Sequence, residues 1–168
     1  MKIGILGGSF DPAHKGHLAI SKEAKKRFKL EKIIWAITKK NPLKAESKTP
    51  VSKKIKDCKK IIGLNSFIKV KFYENIIKTN KTIDLINYLQ RNKNIEIFFL
   101  MGADNLINFH KWHKSKLISQ KRNIIVFDRH GYKKNSLKSK TFKSLNNKTL
   151  TFVEFKKVNI SSSQLRKI

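Results

Sequence analysis

Residues 7–17 read GGSFDPAHKGH. Gly7 and Gly8 end an apolar run, Asp11-Pro12 turns the chain, and His14 and His17 follow with Lys15-Gly16 between them. Glycine has no Cβ, so the backbone can turn sharply there and approach a ligand closely. Free N–H groups in such a turn, and at the start of a following helix, hold anions. Two imidazoles at that helix start can face one pocket. Donors converging in this way suit a polyphosphate. The lysine-bearing P-loop pattern and the GxGxxG dinucleotide fingerprint are both absent, which argues against a P-loop ATP site and against a dehydrogenase. His110 and His113, in HKWH, repeat the spacing of the first pair. Neither pair comes with the fuller ligand set that structural zinc takes.

The elements that must position these residues alternate in type. KIGILG predicts a buried strand leading straight into the glycines. A helix is expected from Gly16 to Phe28, with His17, Ile20, Ala24 and Phe28 near one stripe. KIIWAIT predicts a second strand and KKNPLKAESKTP a loop. Residues 52–62 read as helix, FIKVKF as strand and TIDLINYLQ as helix. IEIFFLMG is nearly all apolar, as a central parallel strand is. NIIVFD and LTFVEF are two more strands, and the polar KKNSLKSKTFKSLNNK between them is a loop. Strands alternating with helices argue a parallel α/β sheet with crossover helices. Such sheets bind ligands at the carboxyl ends of their strands, at a topological switch point. GGSFDPAHKGH stands at the carboxyl end of the first strand.

The 168 residues suit a single domain spanning the chain. Lys and Arg number 39 against 11 Asp and Glu, giving a net charge of +28. That excess fits either a nucleic-acid binder or an AT-rich codon bias towards Lys, Asn and Ile. Its spread along the whole chain favours the second, with a general attraction to phosphates in either case. Cys58 is the only cysteine, which fits a reducing cytoplasm. The first residues break at Gly-Gly and carry no signal-peptide pattern, and no apolar stretch approaches a membrane span. Neither a membrane nor a specific nucleic acid is expected as a partner, and oligomeric state is not legible.

GGSFDPAHKGHL resembles the HxGH signature of nucleotidyltransferases, and its surroundings resemble bacterial nicotinate-nucleotide adenylyltransferases. Gly7 stands where the sister pantetheine-phosphate enzymes usually carry proline. WAITKKNPLK is similar to the family's Trp…Asn-Pro-Leu-Lys segment. KTIDLI is similar to its Tyr-Thr-Ile-Asp-Thr-Leu, with Lys81 for the tyrosine and Leu85 for the second threonine. MGADNLINFHKWH matches its Gly-x-Asp…Trp block, DRHGY more weakly its Arg-Pro-Gly turn, and ISSSQLR its closing Ile-Ser-Ser-Thr-x-x-Arg. The blocks fall in the family's order across nearly the whole chain.

The resemblance implies a Rossmann-like, doubly wound sheet of the nucleotidyltransferase type and adenylyl transfer from ATP to nicotinate mononucleotide in NAD biosynthesis. Mg²⁺ would arrive with ATP. His14, His17, Lys44 and Arg166 would act on the phosphates. Gly7, Gly8, Ser9 and Phe10 would line the first turn of the ATP site. Gly102 and Asp104 would hold the ribose hydroxyls, and Ser161 and Ser162 would meet the triphosphate. Thr82, Trp112 and His113 would bound the nicotinate pocket. Ser161 and Gln164 also form a capping-box pattern, so a short helix is expected to start there and to order when triphosphate binds. Rival readings are phosphopantetheine or nicotinamide mononucleotide as the acceptor on the same fold, and a basic nucleic-acid-binding module.

Overall fold

The first strand, β1 (Lys2–Gly8), lies inside a six-stranded sheet whose strands all run parallel. The computed structural model describes residues 1–39, 47–121, 123–128 and 150–154. After β1 come α1 (Lys15–Phe28), β2 (Lys32–Ile37), α2 (Val51–Ile62) and β3 (Ile68–Lys71). Then follow α3 (Glu74–Ile77), α4 (Thr82–Leu89) and β4 (Glu96–Gly102). The last described elements are α5 (Ala103–Asn108), a 3₁₀ turn (Phe109–Lys111), α6 (Ser115–Lys121), β5 (Asn123–Phe127) and β6 (Leu150–Val153).

The strand order is β3-β2-β1-β4-β5-β6. The chain winds outward from β1 to β3, then returns to place β4 on β1's other side. The sheet is therefore the doubly wound one expected, with its switch point between β1 and β4. Pairing of Lys2 with Glu96 and Leu6 with Leu100 sets that register.

Alternation along the strands gives each sheet face its own core. On one face Leu6, Ile33 and Leu100 pack with Ile20 and Ala24 of α1 and with Cys58 and Ile62 of α2. On the other, Ile5, Phe99 and Val126 pack with Ile83 and Ile86 of α4, Leu106 of α5 and Ile118 of α6. Burying one such aliphatic side chain fully contributes about 1.5–3 kcal/mol, so the central strands carry much of the stability. Gly4 is needed for this packing. A Cβ there would lie 2.9 Å from Cδ1 of Leu30.

The strands and the longer helices fall where the sequence pattern predicts them. Four short elements, α3, α5, the 3₁₀ turn and α6, were not predicted, because each spans at most two turns and shows too little periodicity. The predicted loop after β5 and the helix expected from Ser161 lie outside the described residues. No helix among those described is long and apolar enough to cross a membrane.

Candidate active site

The two histidines form the cap of α1. His14 is its N-cap residue, and its Nδ1 accepts the backbone N–H of Gly16 at 3.0 Å. His17, three residues on, accepts the backbone N–H of His14 on its own Nδ1 at 3.1 Å. This is a capping box in which imidazoles replace the usual hydroxyl and carboxamide. Gly16, between them, is buried at the helix start. With both Nδ1 atoms accepting, the proton of each neutral ring sits on Nε2. Both histidines are thus set as neutral donors at a helix N-terminus.

A stack of rings supports them. The His14 and His17 centroids are 3.9 Å apart, His17 and Phe10 4.6 Å, and Phe10 and Trp35 5.2 Å. Trp35 is fully buried, and its Nε1 donates to Oγ of Ser21 at 2.8 Å. Ser21 in turn donates to the His17 carbonyl at 2.8 Å. Trp35 is therefore core. Phe10 has a left-handed backbone (φ 48°) that turns its ring inward, to 2% exposure. What Phe10 offers the turn is its main chain.

The carboxyl ends of the strands are tied together beside this cap. Thr38, just past β2, donates its N–H to the Gly8 carbonyl at 2.9 Å. Its hydroxyl donates to Oε1 of Glu74, whose Oε2 accepts the Lys39 N–H at 3.2 Å. The ammonium of Lys54, a buried residue of α2, donates to the Thr38 carbonyl at 3.3 Å. Asp11 accepts the hydroxyls of Ser47, at 2.5 Å, and Thr49, at 2.8 Å. Those bonds fix the approach to α2 against the turn that carries His14.

A cavity of about 440 Å³ opens between these strand ends and α4, within the range of small-molecule sites. Gly7, Gly8 and Ser9 line it together with Thr82, Trp112 and His113. So the cavity joins the predicted phosphate turn to the predicted nicotinate pocket. A Cβ on Gly7 would meet only Cζ of Phe99, at 3.9 Å, so the space beside that glycine is open. Trp112 stands edge-on to Phe99, with centroids 5.8 Å apart, and is also braced by Phe109 at 5.1 Å. Tyr73 lines the wall as well. Burial, with Tyr88 close by, raises its pKa and keeps the phenol protonated.

Gly102 and Asp104 lie across the switch point. Gly102 ends β4 and is the N-cap of α5, and Asp104 sits half-buried in that helix's first turn. Lys44, Ser161, Ser162 and Arg166 lie outside the described residues. Sequence reasoning missed Thr38, Tyr73, Glu74, Asn105 and Lys111 as cavity residues. Thr38 follows β2, Tyr73 and Glu74 lie just beyond β3, and Asn105 and Lys111 lie beyond β4. The rule that ligands bind at strand carboxyl ends could have flagged these positions. Among the described residues no group of three His, Cys, Asp or Glu side chains could hold a metal.

Residues 5–168 match the cytidylyltransferase-like family. The chain is 67% identical over 167 residues to a probable nicotinate-nucleotide adenylyltransferase of Pelagibacter ubique (strain HTCC1062), covering 99% of this chain and 93% of that one. A protein of the same name from Bradyrhizobium sp. (strain ORS 278) is 38% identical over 130 residues, covering 77% of this chain and 68% of the other. Among solved structures, the Plasmodium falciparum nicotinic acid mononucleotide adenylyltransferase complexed with NaAD superposes with a TM-score of 0.80 at 21% identity. That match covers 99% of this chain and 82% of the parasite chain and bears on the fold.

Proposed function

The chain belongs to the nicotinate-nucleotide adenylyltransferase family, within the cytidylyltransferase-like proteins, and from that premise we propose how its residues carry the reaction. It transfers the adenylyl group of ATP to nicotinate mononucleotide, a step of NAD biosynthesis. A phosphate oxygen of the mononucleotide attacks the α-phosphorus in line. The bond from that phosphorus to the bridging oxygen breaks, and pyrophosphate leaves with the electron pair. The products are deamido-NAD and pyrophosphate.

No side-chain nucleophile is required, so catalysis consists of positioning and charge stabilisation. The Nε2–H groups of His14 and His17 donate to phosphate oxygens as charge develops there. The α1 N-terminus adds its partial positive charge, and Gly7, Gly8, Ser9 and the Phe10 main chain let the phosphates approach the backbone. Gly102 and Asp104 take the ATP ribose, whose vicinal hydroxyls a carboxylate can accept from. Thr82, Trp112 and His113 bound the nicotinate, with the indole face suited to a cationic pyridinium. Lys44, Ser161, Ser162 and Arg166 are assigned to the phosphates by their motifs. Magnesium belongs to the substrate as MgATP, with the triphosphate supplying its ligands. The single cysteine, Cys58, is free and buried, which supports a place in the cytoplasm.

The observation that carries this assignment of residues is the one cavity that joins Gly7, Gly8 and Ser9 to Thr82, Trp112 and His113. The test is pyrophosphate release from MgATP with nicotinate mononucleotide, nicotinamide mononucleotide or phosphopantetheine as acceptor. Nicotinate mononucleotide is expected to be turned over much the fastest. A charge-assisted hydrogen bond to its carboxylate is worth roughly 1.5–3 kcal/mol. Equal rates with the two mononucleotides would remove the acceptor assignment and leave the fold standing.

A further inference from the structure

Two lysines line the cavity beside residues assigned to the nicotinate pocket, and the adenylyl-transfer chemistry does not use them. Lys81 is the N-cap of α4 and immediately precedes Thr82; Lys111 ends the 3₁₀ turn and immediately precedes Trp112. Both line the cavity. The sequence separates them by a whole strand and two helical segments, yet the fold brings both to the lining of one cavity.

The local structure fixes where the first one starts. Thr79 donates its hydroxyl to Oδ2 of Asp84 at 3.0 Å and accepts the Lys81 N–H on the same oxygen at 3.2 Å. Lys81 is thereby held at the head of α4 and makes no side-chain cap of its own. Lys111 is set by the turn that Phe109 anchors in the core.

The charge balance of the wall is positive. Glu74 is the only carboxylate among the described residues lining the cavity, and its oxygens accept from the Thr38 hydroxyl and the Lys39 N–H. Neither lysine forms an ion pair among the described residues. Two ammonium groups against one carboxylate leave the lining net positive, which favours an anion in a partly enclosed space. At position 81 the related motif carries tyrosine, so this chain adds a charge there.

We propose that Lys81 and Lys111 are specificity-determining residues that pair with the ring carboxylate of the acceptor, a reading that rests on the function proposed above. The mononucleotide phosphate is assigned to Gly7 to Ser9, where the reacting phosphorus must lie, and the ring to the pocket of Thr82, Trp112 and His113. The ring carboxylate then lies beside the two residues that Lys81 and Lys111 immediately precede. An acceptor with a neutral carboxamide gains nothing from either lysine.

The experiment compares Lys81→Gln, Lys111→Gln, the double variant and Lys81→Arg with the unmodified protein, using nicotinate and nicotinamide mononucleotide at saturating MgATP. Each glutamine variant is expected to lose about tenfold in kcat/KM for nicotinate mononucleotide, about 1.4 kcal/mol. The carboxamide acceptor should stay within about twofold, and Lys81→Arg should keep the preference. Both lysines are exposed, and thermal melts will confirm that the variants fold. A parallel loss with both acceptors would put the lysines on the phosphate and overturn the proposal. Unchanged kinetics would make them solvated surface charge and overturn it equally. If the unmodified protein fails to distinguish the two acceptors, the assigned reaction fails too; if it distinguishes them and the variants still do, only the lysine assignment fails.

Discussion

The backbone N–H of His14 points at Nδ1 of His17, 3.1 Å away, while the two rings lie with centroids 3.9 Å apart. The same pair of side chains caps the helix and, in the function proposed above, supplies donors to the phosphates. The structural demand falls on Nδ1 of each ring, and the proposed chemical one falls on Nε2.

That division predicts a tautomer. Both rings should be neutral and protonated on Nε2 near neutral pH, because a proton on Nδ1 would displace the amide that donates there. Nitrogen chemical shifts of the two imidazoles, measured in the free protein, will show the Nε2–H pattern for both. An Nδ1–H form of either ring would break the assigned cap.

Removing one ring separates its two roles. His17→Ala should lower turnover by roughly 10²–10³, with a smaller change in KM for the mononucleotide. It should also lower stability by about 1 kcal/mol through loss of the cap. His17→Asn places an acceptor near the Nδ1 position without the Nε2 donor. Its urea midpoint should recover while its turnover stays low. Near-native turnover in either folded variant would make His17 structural only.

The glycines of β1 should divide in the same way. A methyl at Gly4 meets Leu30, Ile33 and Leu100 at 2.9–3.3 Å, so Gly4→Ala should lose about 1 kcal/mol or more from overpacking. A methyl at Gly7 meets only Phe99 at 3.9 Å, so Gly7→Ala should stay within about 0.5 kcal/mol of the parent stability. Its methyl intrudes on the cavity instead, and KM for the mononucleotide should rise. Unchanged kinetics there would dissociate the cavity from the acceptor.

Cys58 gives a pH dependence with a definite sign. Burial pushes its thiol from 9.0 up to about 12, with Asp57 adding to the shift and Lys54 opposing it. The unfolded chain therefore releases this proton first. The group's contribution to stability is full below pH 9.0 and is lost as the pH rises towards about 12. Urea midpoints of the parent and Cys58→Ala, taken from about pH 8 upward, should converge above pH 9. A constant gap between them would show that the thiol does not ionise differently on unfolding.

Most of this architecture was legible because long apolar runs announce themselves. IEIFFLMG could only be a buried strand, and the glycines, histidines and serines carried motifs read at fixed spacing. The cavity wall was harder to read. Thr38 and Glu74 meet through a hydrogen bond between residues 36 apart in the chain, and no local pattern encodes that meeting. Lys111 was one basic residue among 39, and only the fold distinguishes it. Trp35 shows the opposite case: a residue inside a motif block that turns out to be the floor beneath the site.

The strand order also governs how the molecule assembles. β1 carries the site, and one of its two neighbours is β4, paired from Lys2 with Glu96 onward. During synthesis, β1, β2 and β3 can associate as soon as residue 71 is available. Until β4 arrives, β1 presents an open edge with Ile3 and Ile5 uncovered, the kind of edge that invites pairing with another chain. The high contact order of the β1–β4 ladder makes its closure a slow event in folding. The fourth strand, by docking, completes the switch point and covers the open edge of β1 in the same step.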